Sequence, residues 1–315
     1  VSRVHNNKKG TAMKSSYLSY LLRAFGFALS LLALLPATAA TLVVGGKNFT
    51  EQLILSSMTA QYLRAKGYDI DLRNGLGSTL MRKAQESKQL DVVWEYTGTS
   101  LIVYNHVDEK LDAETTYARV KELDQKIGLT WLNESGLNNT YAFAMPQKLA
   151  DEQGINTLED LAQHITQEQQ AGGKPQLMGV DYEFASRPDG LEPMQKLYGF
   201  QLGRSEVKQM DPGLVYTALR NEQLYVGLTY SSDGRIKGFN LKLLEDNKGY
   251  FAAYKATPVV REEVLQEHPQ LAEQLNALSA AIDTEKMTDM NKRVDIDQEP
   301  IGKVVTEFLQ QQGLI

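Results

Sequence analysis

The 315-residue sequence contains no cysteine. That absence removes disulfides, thiolate metal sites, cysteine nucleophiles and lipid attachment at a cysteine. Histidine is scarce, with four residues, and none of His5, His106, His164 and His268 has a second histidine at metal-ligand spacing. No Gly-x-Ser-x-Gly elbow and no Gly-x-x-x-x-Gly-Lys-Ser/Thr loop occurs, so the usual signatures of a serine hydrolase and of a nucleotide phosphate site are missing. The net charge is −6 and no basic block follows the N-terminal segment, which argues against nucleic acid or anionic lipid as a partner. The longest apolar run, residues 24–35, falls short of the ~20 residues that span a bilayer.

What stands at the N-terminus is an address. Lys14 and Arg23 precede the apolar run, and Pro36-Ala37-Thr38-Ala39-Ala40 follows it, the pattern of a secretory signal peptide cleaved near Ala39 or Ala40. Residues 1–40 are therefore read as signal, with 1–12, ahead of Met13, as an over-extended start. The mature protein is expected to diffuse freely in an extracytoplasmic compartment, most simply a periplasm, without a lipid anchor.

The remaining length exceeds one ordinary core, so two lobes are expected. Strand and helix patterns alternate from Thr41, which predicts an α/β architecture. Strands are expected at 41–46, 70–73, 90–96, 139–145, 177–180, 224–230, 241–244 and 250–257. Helices are expected after Thr50, from Ser78 to about Lys88, at 113–127, 157–164, 191–198 and 212–221, and through most of 264–309. Thr50 and Ser78 read as helix caps, Asn74-Gly75-Leu76-Gly77 as a tight turn, and the polar stretch 167–176 as a surface loop. The C-terminal helices have no further strands to cover, so the chain should return to its first sheet. Two crossings follow, placed near 141–146 and 251–258, with lobe I at 41–142 plus 253–315 and lobe II at 143–252. In such sheets ligands bind beyond the strand carboxyl ends, which puts residues 47–52, 75–79 and 96–99 on a cleft wall.

Tyrosine is abundant: 15, against two tryptophans and nine phenylalanines. Tyr62, Tyr117 and Tyr198 fit helix faces in the core. Tyr96, Tyr141, Tyr230 and Tyr254 instead lie at strand ends or crossings. Taken singly, each reads first as a ring packed at a strand end; taken together, they suggest an aromatic cage. A trimethylammonium head has charge but no N–H, so ring faces must recognise it, at ~0.5–2 kcal/mol per ring. Four rings could support micromolar binding, about 8 kcal/mol.

Several ordered motifs carry a resemblance across the mature chain: Val44-Gly45-Gly46-Lys47-Asn48-Phe49-Thr50-Glu51-Gln52, Asn74-Gly75-Leu76-Gly77-Ser78-Thr79, Glu95-Tyr96-Thr97-Gly98-Thr99, Asn138-Asn139-Thr140-Tyr141, Glu183-Phe184-Ala185-Ser186-Arg187-Pro188-Asp189-Gly190 and Tyr230-Ser231-Ser232-Asp233-Gly234. They resemble the osmoprotectant-binding proteins of ABC importers for glycine betaine, carnitine and choline. The resemblance implies a type II-like periplasmic-binding-protein fold, two lobes joined by two hinge crossings with a ligand cleft between them. It also implies a quaternary-ammonium ligand, no cofactor, a monomeric state, and an inner-membrane permease with its ATPase as partners. The ammonium cage it implies is Tyr96, Tyr141, Tyr230 and Tyr254. Lys47, Gln52, Thr99 and Arg187 would meet a carboxylate tail, Arg187 bidentately. Glu95 is the one carboxylate this reading places near the cleft. Two departures stand out, a long 167–176 stretch and Phe251-Ala252-Ala253 before Tyr254, where relatives often carry prolines. Another small amine, an amino acid, or hydrolysis of a choline ester are the competing readings.

Overall fold

In the computed structural model, residues 1–3, 41–107 and 109–315 are described. The signal segment expected at 1–40 lies outside them apart from residues 1–3. Thr41–Ile315 forms one compact unit, and the following concerns that unit.

Apolar strand segments and amphipathic helices alternate here because each strand needs both faces covered. The strands are β1 (Leu42–Lys47), β2 (Ile70–Leu76), β3 (Val92–Tyr96), β4 (Leu129–Trp131), β5 (Tyr141–Pro146), β6 (Met178–Val180), β7 (Val207–Gln209), β8 (Val226–Tyr230), β9 (Leu241–Leu244) and β10 (Ala256–Arg261). They form two five-stranded sheets, ordered β2-β1-β3-β10-β4 and β7-β6-β8-β5-β9. Each sheet has three parallel strands followed by one antiparallel strand in fourth place. That antiparallel strand is the first one laid down after a crossing: β5 in the second sheet, β10 in the first.

The crossings run through residues 132–140 and 245–255, and they bond to each other as a short ribbon. Asn138 and Lys255 form an antiparallel bridge, Ala256 N–H donates to the Leu137 carbonyl and Asn139 N–H to the Tyr254 carbonyl, both at 3.0 Å. Tyr254 N–H is held by Asn138 Oδ1 at 2.8 Å. Residues 141–146, expected to cross, belong wholly to the second sheet, with Tyr141 opposite Tyr230; the polar Asn138-Asn139-Thr140 before them makes the passage. The strand expected at 250–257 starts only at Ala256, because Asp246 accepts the Tyr250 and Phe251 N–H groups and holds that segment in a turn.

Local corrections have similar causes. Thr50 does not cap its helix: Phe49 holds the N-cap position and the Thr50 hydroxyl donates to Asp295 at 2.8 Å. Gly77, not Ser78, precedes the next helix. Asn74-Gly75-Leu76 is strand with one extra residue, since the register passes from Gly45↔Arg73 to Lys47↔Leu76. Gly75, at φ +82°, absorbs that bulge. The helix at Leu158–Gln170 begins in a Thr157–Asp160 capping box and takes up the first part of the expected 167–176 loop. β4, β7 and the helix Gln147–Gln153 were not foreseen.

The first sheet is covered by helix Thr50–Ala65, whose Ile54, Leu55, Met58 and Leu63 are fully buried, each contributing about 1.5–3 kcal/mol. Helices Thr284–Asp295 and Ile301–Gln311 return to the first lobe but pack on helix Thr50–Ala65 instead of on the sheet expected for them. The ends of β3 and β4 are tied by one carboxylate. Fully buried Asp124 receives Arg82 bidentately at 2.7 Å, Trp131 Nε1 at 2.7 Å, Asn105 Nδ2 at 3.0 Å and Ser100 Oγ at 3.2 Å. Burial alone would raise its pKa, but the Arg82 fork together with the Asn105 and Trp131 bonds outweighs that and holds it below the usual carboxylate range. Asp124→Ala leaves the buried Arg82 with Glu86, at 2.7 Å, as its one remaining carboxylate and orphans the Trp131 N–H, and should cost about 3–5 kcal/mol in urea unfolding. A loss under about 1 kcal/mol would show that Glu86 or solvent, not Asp124, satisfies Arg82.

Candidate ligand-binding site

Both sheets aim the carboxyl ends of their parallel strands at one cavity of about 160 Å³. From the first lobe come Lys47 at the end of β1 with Asn48 and Phe49 after it, Ser78 after β2, and Tyr96 at the end of β3 with Thr99 after it. The crossings supply Asn139 and Tyr254. The second lobe supplies Tyr141, Asp181, Glu183, Asp211 and Tyr230. Open α/β sheets bind ligands at this position.

All four tyrosines singled out in the sequence line the cavity. Tyr141 lies 5.5 Å from Tyr230 and meets Tyr254 edge-on at 5.4 Å, centroid to centroid. A fifth ring, missed in the sequence, is Phe49, stacked on Tyr230 at 5.3 Å across the cleft and 6.3 Å from Tyr96. Its signal was present in the strand-to-helix junction Asn48-Phe49-Thr50. Gly98 lets Tyr254 close this wall, since a Cβ there would stand 2.7 Å from the ring.

The phenol oxygens are engaged with charged side chains. Tyr96 donates to Glu51 at 2.6 Å, Tyr230 to Asp181 at 2.8 Å and Tyr254 to Asp189 at 2.7 Å, while Tyr141 accepts from Arg187 at 3.3 Å. Burial pushes all four well above the usual phenol range, and the neighbouring carboxylates push further. The phenols are therefore neutral throughout the physiological range. Cations already sit over them: Lys47 Nζ is 5.1 Å from the Tyr96 centroid, and the Arg187 guanidinium 5.2 Å from that of Tyr141.

The expected carboxylate end divides. Lys47 and Thr99 line the cavity, whereas Gln52 and Arg187 are not among its lining residues. Fully buried Gln52 bonds the Trp94 carbonyl and Lys47 N–H, joining the ends of β1 and β3. Arg187 directs its bidentate face to Asp189, with both bonds at 2.7 Å, and a further bond to Glu183 at 3.2 Å. Lys47 is itself paired to Glu95 at 2.6 Å, both side chains buried. Glu95, expected as the one carboxylate nearby, is not among the lining residues, whereas Asp181, Glu183 and Asp211 are. Among the described residues no group of three or more histidine and carboxylate side chains is placed to hold a metal, and none of His106, His164 and His268 lines the cavity.

The family described as the substrate-binding domain of ABC-type glycine betaine transport systems matches residues 40–311. This chain belongs to that family. A glycine-betaine-binding protein of Pseudomonas aeruginosa is 51% identical over 89% of this chain and 90% of its own. A carnitine transport binding protein of Listeria monocytogenes is 33% identical over 87% of each. The crystal structure of a glycine betaine/carnitine/choline ABC transporter protein, 30% identical, superposes with a TM-score of 0.68 over 87% of this chain and 99% of that one. The fold is the two-lobed periplasmic-binding-protein fold expected from the motifs. No described helix is long and apolar enough to cross a membrane.

In this family member one buried carboxylate joins the lobes behind the cavity. Glu51 accepts from Tyr96 of β3, from Asn139 of the first crossing at 2.8 Å and from Ser232, just after β8, at 2.5 Å. Burial raises its pKa although those bonds pull it down. In the unfolded chain it titrates near 4.5; the native protein keeps its proton to higher pH, so this group's contribution to stability declines as pH rises above that value. Glu51→Gln removes the titration. The stability of the variant relative to wild type should therefore grow between about pH 4 and pH 8 in urea unfolding, and a difference that is flat or shrinking would contradict the raised pKa.

Proposed function

We propose that the chain is the solute-binding protein of an ABC importer, holding a quaternary-ammonium osmoprotectant of the glycine betaine and choline type between its lobes. It works in the periplasm after export and hands its cargo, as a monomer, to an inner-membrane permease driven by its ATPase. It binds and releases; no chemical step is assigned to it. The division between lobes falls at the two crossings, so closure turns about the ribbon that pairs Asn138 with Lys255.

One observation carries the ligand class: five rings from both lobes and the hinge surround a single cavity, and the four phenol oxygens among them are occupied by side chains. A polar amine would be met by acceptors, but a methylated ammonium has no N–H and is met by ring faces. Relatives named for glycine betaine and carnitine support the same class. Tyr96, Tyr141, Tyr230 and Tyr254, with Phe49, form the cage. Lys47 and Thr99 face the tail, and Gln52 and Arg187 support that end from behind.

Tyr141 separates ring from hydroxyl most cleanly, because its oxygen makes only the long bond to Arg187. In calorimetry with glycine betaine, Tyr141→Phe should stay within a few-fold of wild type. Tyr141→Leu, similar in size but without a π face, should lose about tenfold. Equal affinities for the phenylalanine and leucine variants would mean that shape alone holds the ligand.

A further inference from the structure

The cations that approach the cage are each matched by a carboxylate. Lys47 is paired with Glu95, and Arg187 with Asp189 and Glu183. The converse does not hold. Asp181, directly after β6 and 4% exposed, lines the cavity, yet its oxygens accept only from neutral donors, Phe184 N–H at 2.6 Å and the Tyr230 hydroxyl at 2.8 Å. Among the described residues it makes no ion pair. A buried carboxylate without a counter-charge is strongly unfavourable, and burial raises the Asp181 pKa accordingly. The nearest cation, Arg187, is already committed to Asp189 and Glu183, so a ligand's ammonium in the cage would be the first positive charge free to pair with Asp181.

We propose that Asp181 is the counter-ion for the ligand's ammonium head, and that it biases the site toward solutes with a net positive charge, quaternary ammonium alcohols, relative to zwitterions. The inference rests on the quaternary-ammonium reading above. An ammonium seated against Tyr230 supplies through space the charge that Asp181 lacks, without needing an N–H. A zwitterion brings the same head and also a carboxylate. That carboxylate finds Lys47 and Arg187 already neutralised, and it meets Asp181 and Glu183 on the cavity wall. The attraction to the head is thus partly cancelled for betaine and left whole for choline.

The structural alternative is that Asp181 merely accepts Phe184 N–H to shape the turn after β6 and orients Tyr230. Asp181→Asn keeps an acceptor for that turn and removes the charge. Calorimetry on wild type and variant, with choline chloride and glycine betaine as titrants, distinguishes the two. The charge role predicts that choline loses about tenfold more affinity than betaine. Equal losses, or no loss for either, would leave Asp181 only its turn role and overturn the proposal. Should thermal melting show the asparagine variant unfolded, Asp181→Ser, which also retains a turn acceptor, carries the same comparison with the same two readings. Wild-type protein that binds neither titrant overturns the quaternary-ammonium reading itself, a result distinct from an unchanged ratio.

Discussion

A phenol can serve a cation with its face only if its hydroxyl is satisfied elsewhere. Here the oxygens of Tyr96, Tyr230, Tyr254 and Tyr141 meet Glu51, Asp181, Asp189 and Arg187 respectively. Each bond fixes a ring and keeps its polar edge from competing for the cavity. Much of the charged architecture around the cleft follows from that requirement. Arg187 lies behind Tyr141 and Tyr254 and needs Asp189 to neutralise it. Lys47 lies over Tyr96 and needs Glu95. The result is an aromatic chamber backed by compensated ion pairs, with two buried exceptions: Glu51 behind Tyr96 and Asp181, which faces the cavity.

The fold brings these rings together by crossing the chain twice. Both crossings deliver a strand into fourth place of a sheet, and both deliver a tyrosine next to that strand: Tyr141 opens β5, and Tyr254 precedes β10 by two residues. The ribbon between them carries few bonds, which suits a hinge. Glu51 reaches from the first lobe to the first crossing and to Ser232 of the second lobe, and it joins the lobes together with the bonds from Asn291 to the Ser232 carbonyl and from Arg187 to Thr99.

How much of this could be read from the sequence depended on whether a feature was local. Strands with apolar runs, such as Val92–Tyr96 and Val226–Tyr230, were legible, and the four tyrosines were legible as strand-end or hinge residues. The three-residue β4 and the half-exposed β7, Val207–Gln209, carry too little pattern to see. Gly75 was read as a turn because a bulge asks for the same positive φ. Arg187 reads in sequence as a partner for a ligand carboxylate; only the structure shows its fork on Asp189, two residues on, with a further bond to Thr99 of the cavity wall. Phe49 reads in sequence as the residue before a helix, and only the closure of one lobe on the other puts it against Tyr230.

The central claim is that charge on a methylated head, not shape, is what the rings recognise. It is tested most directly by comparing choline with 3,3-dimethylbutan-1-ol, which replaces the nitrogen by carbon and keeps the size and the hydroxyl. If the cage works through the ring quadrupole, choline binds at least about tenfold more tightly in calorimetry. Equal binding of the neutral isostere would contradict it.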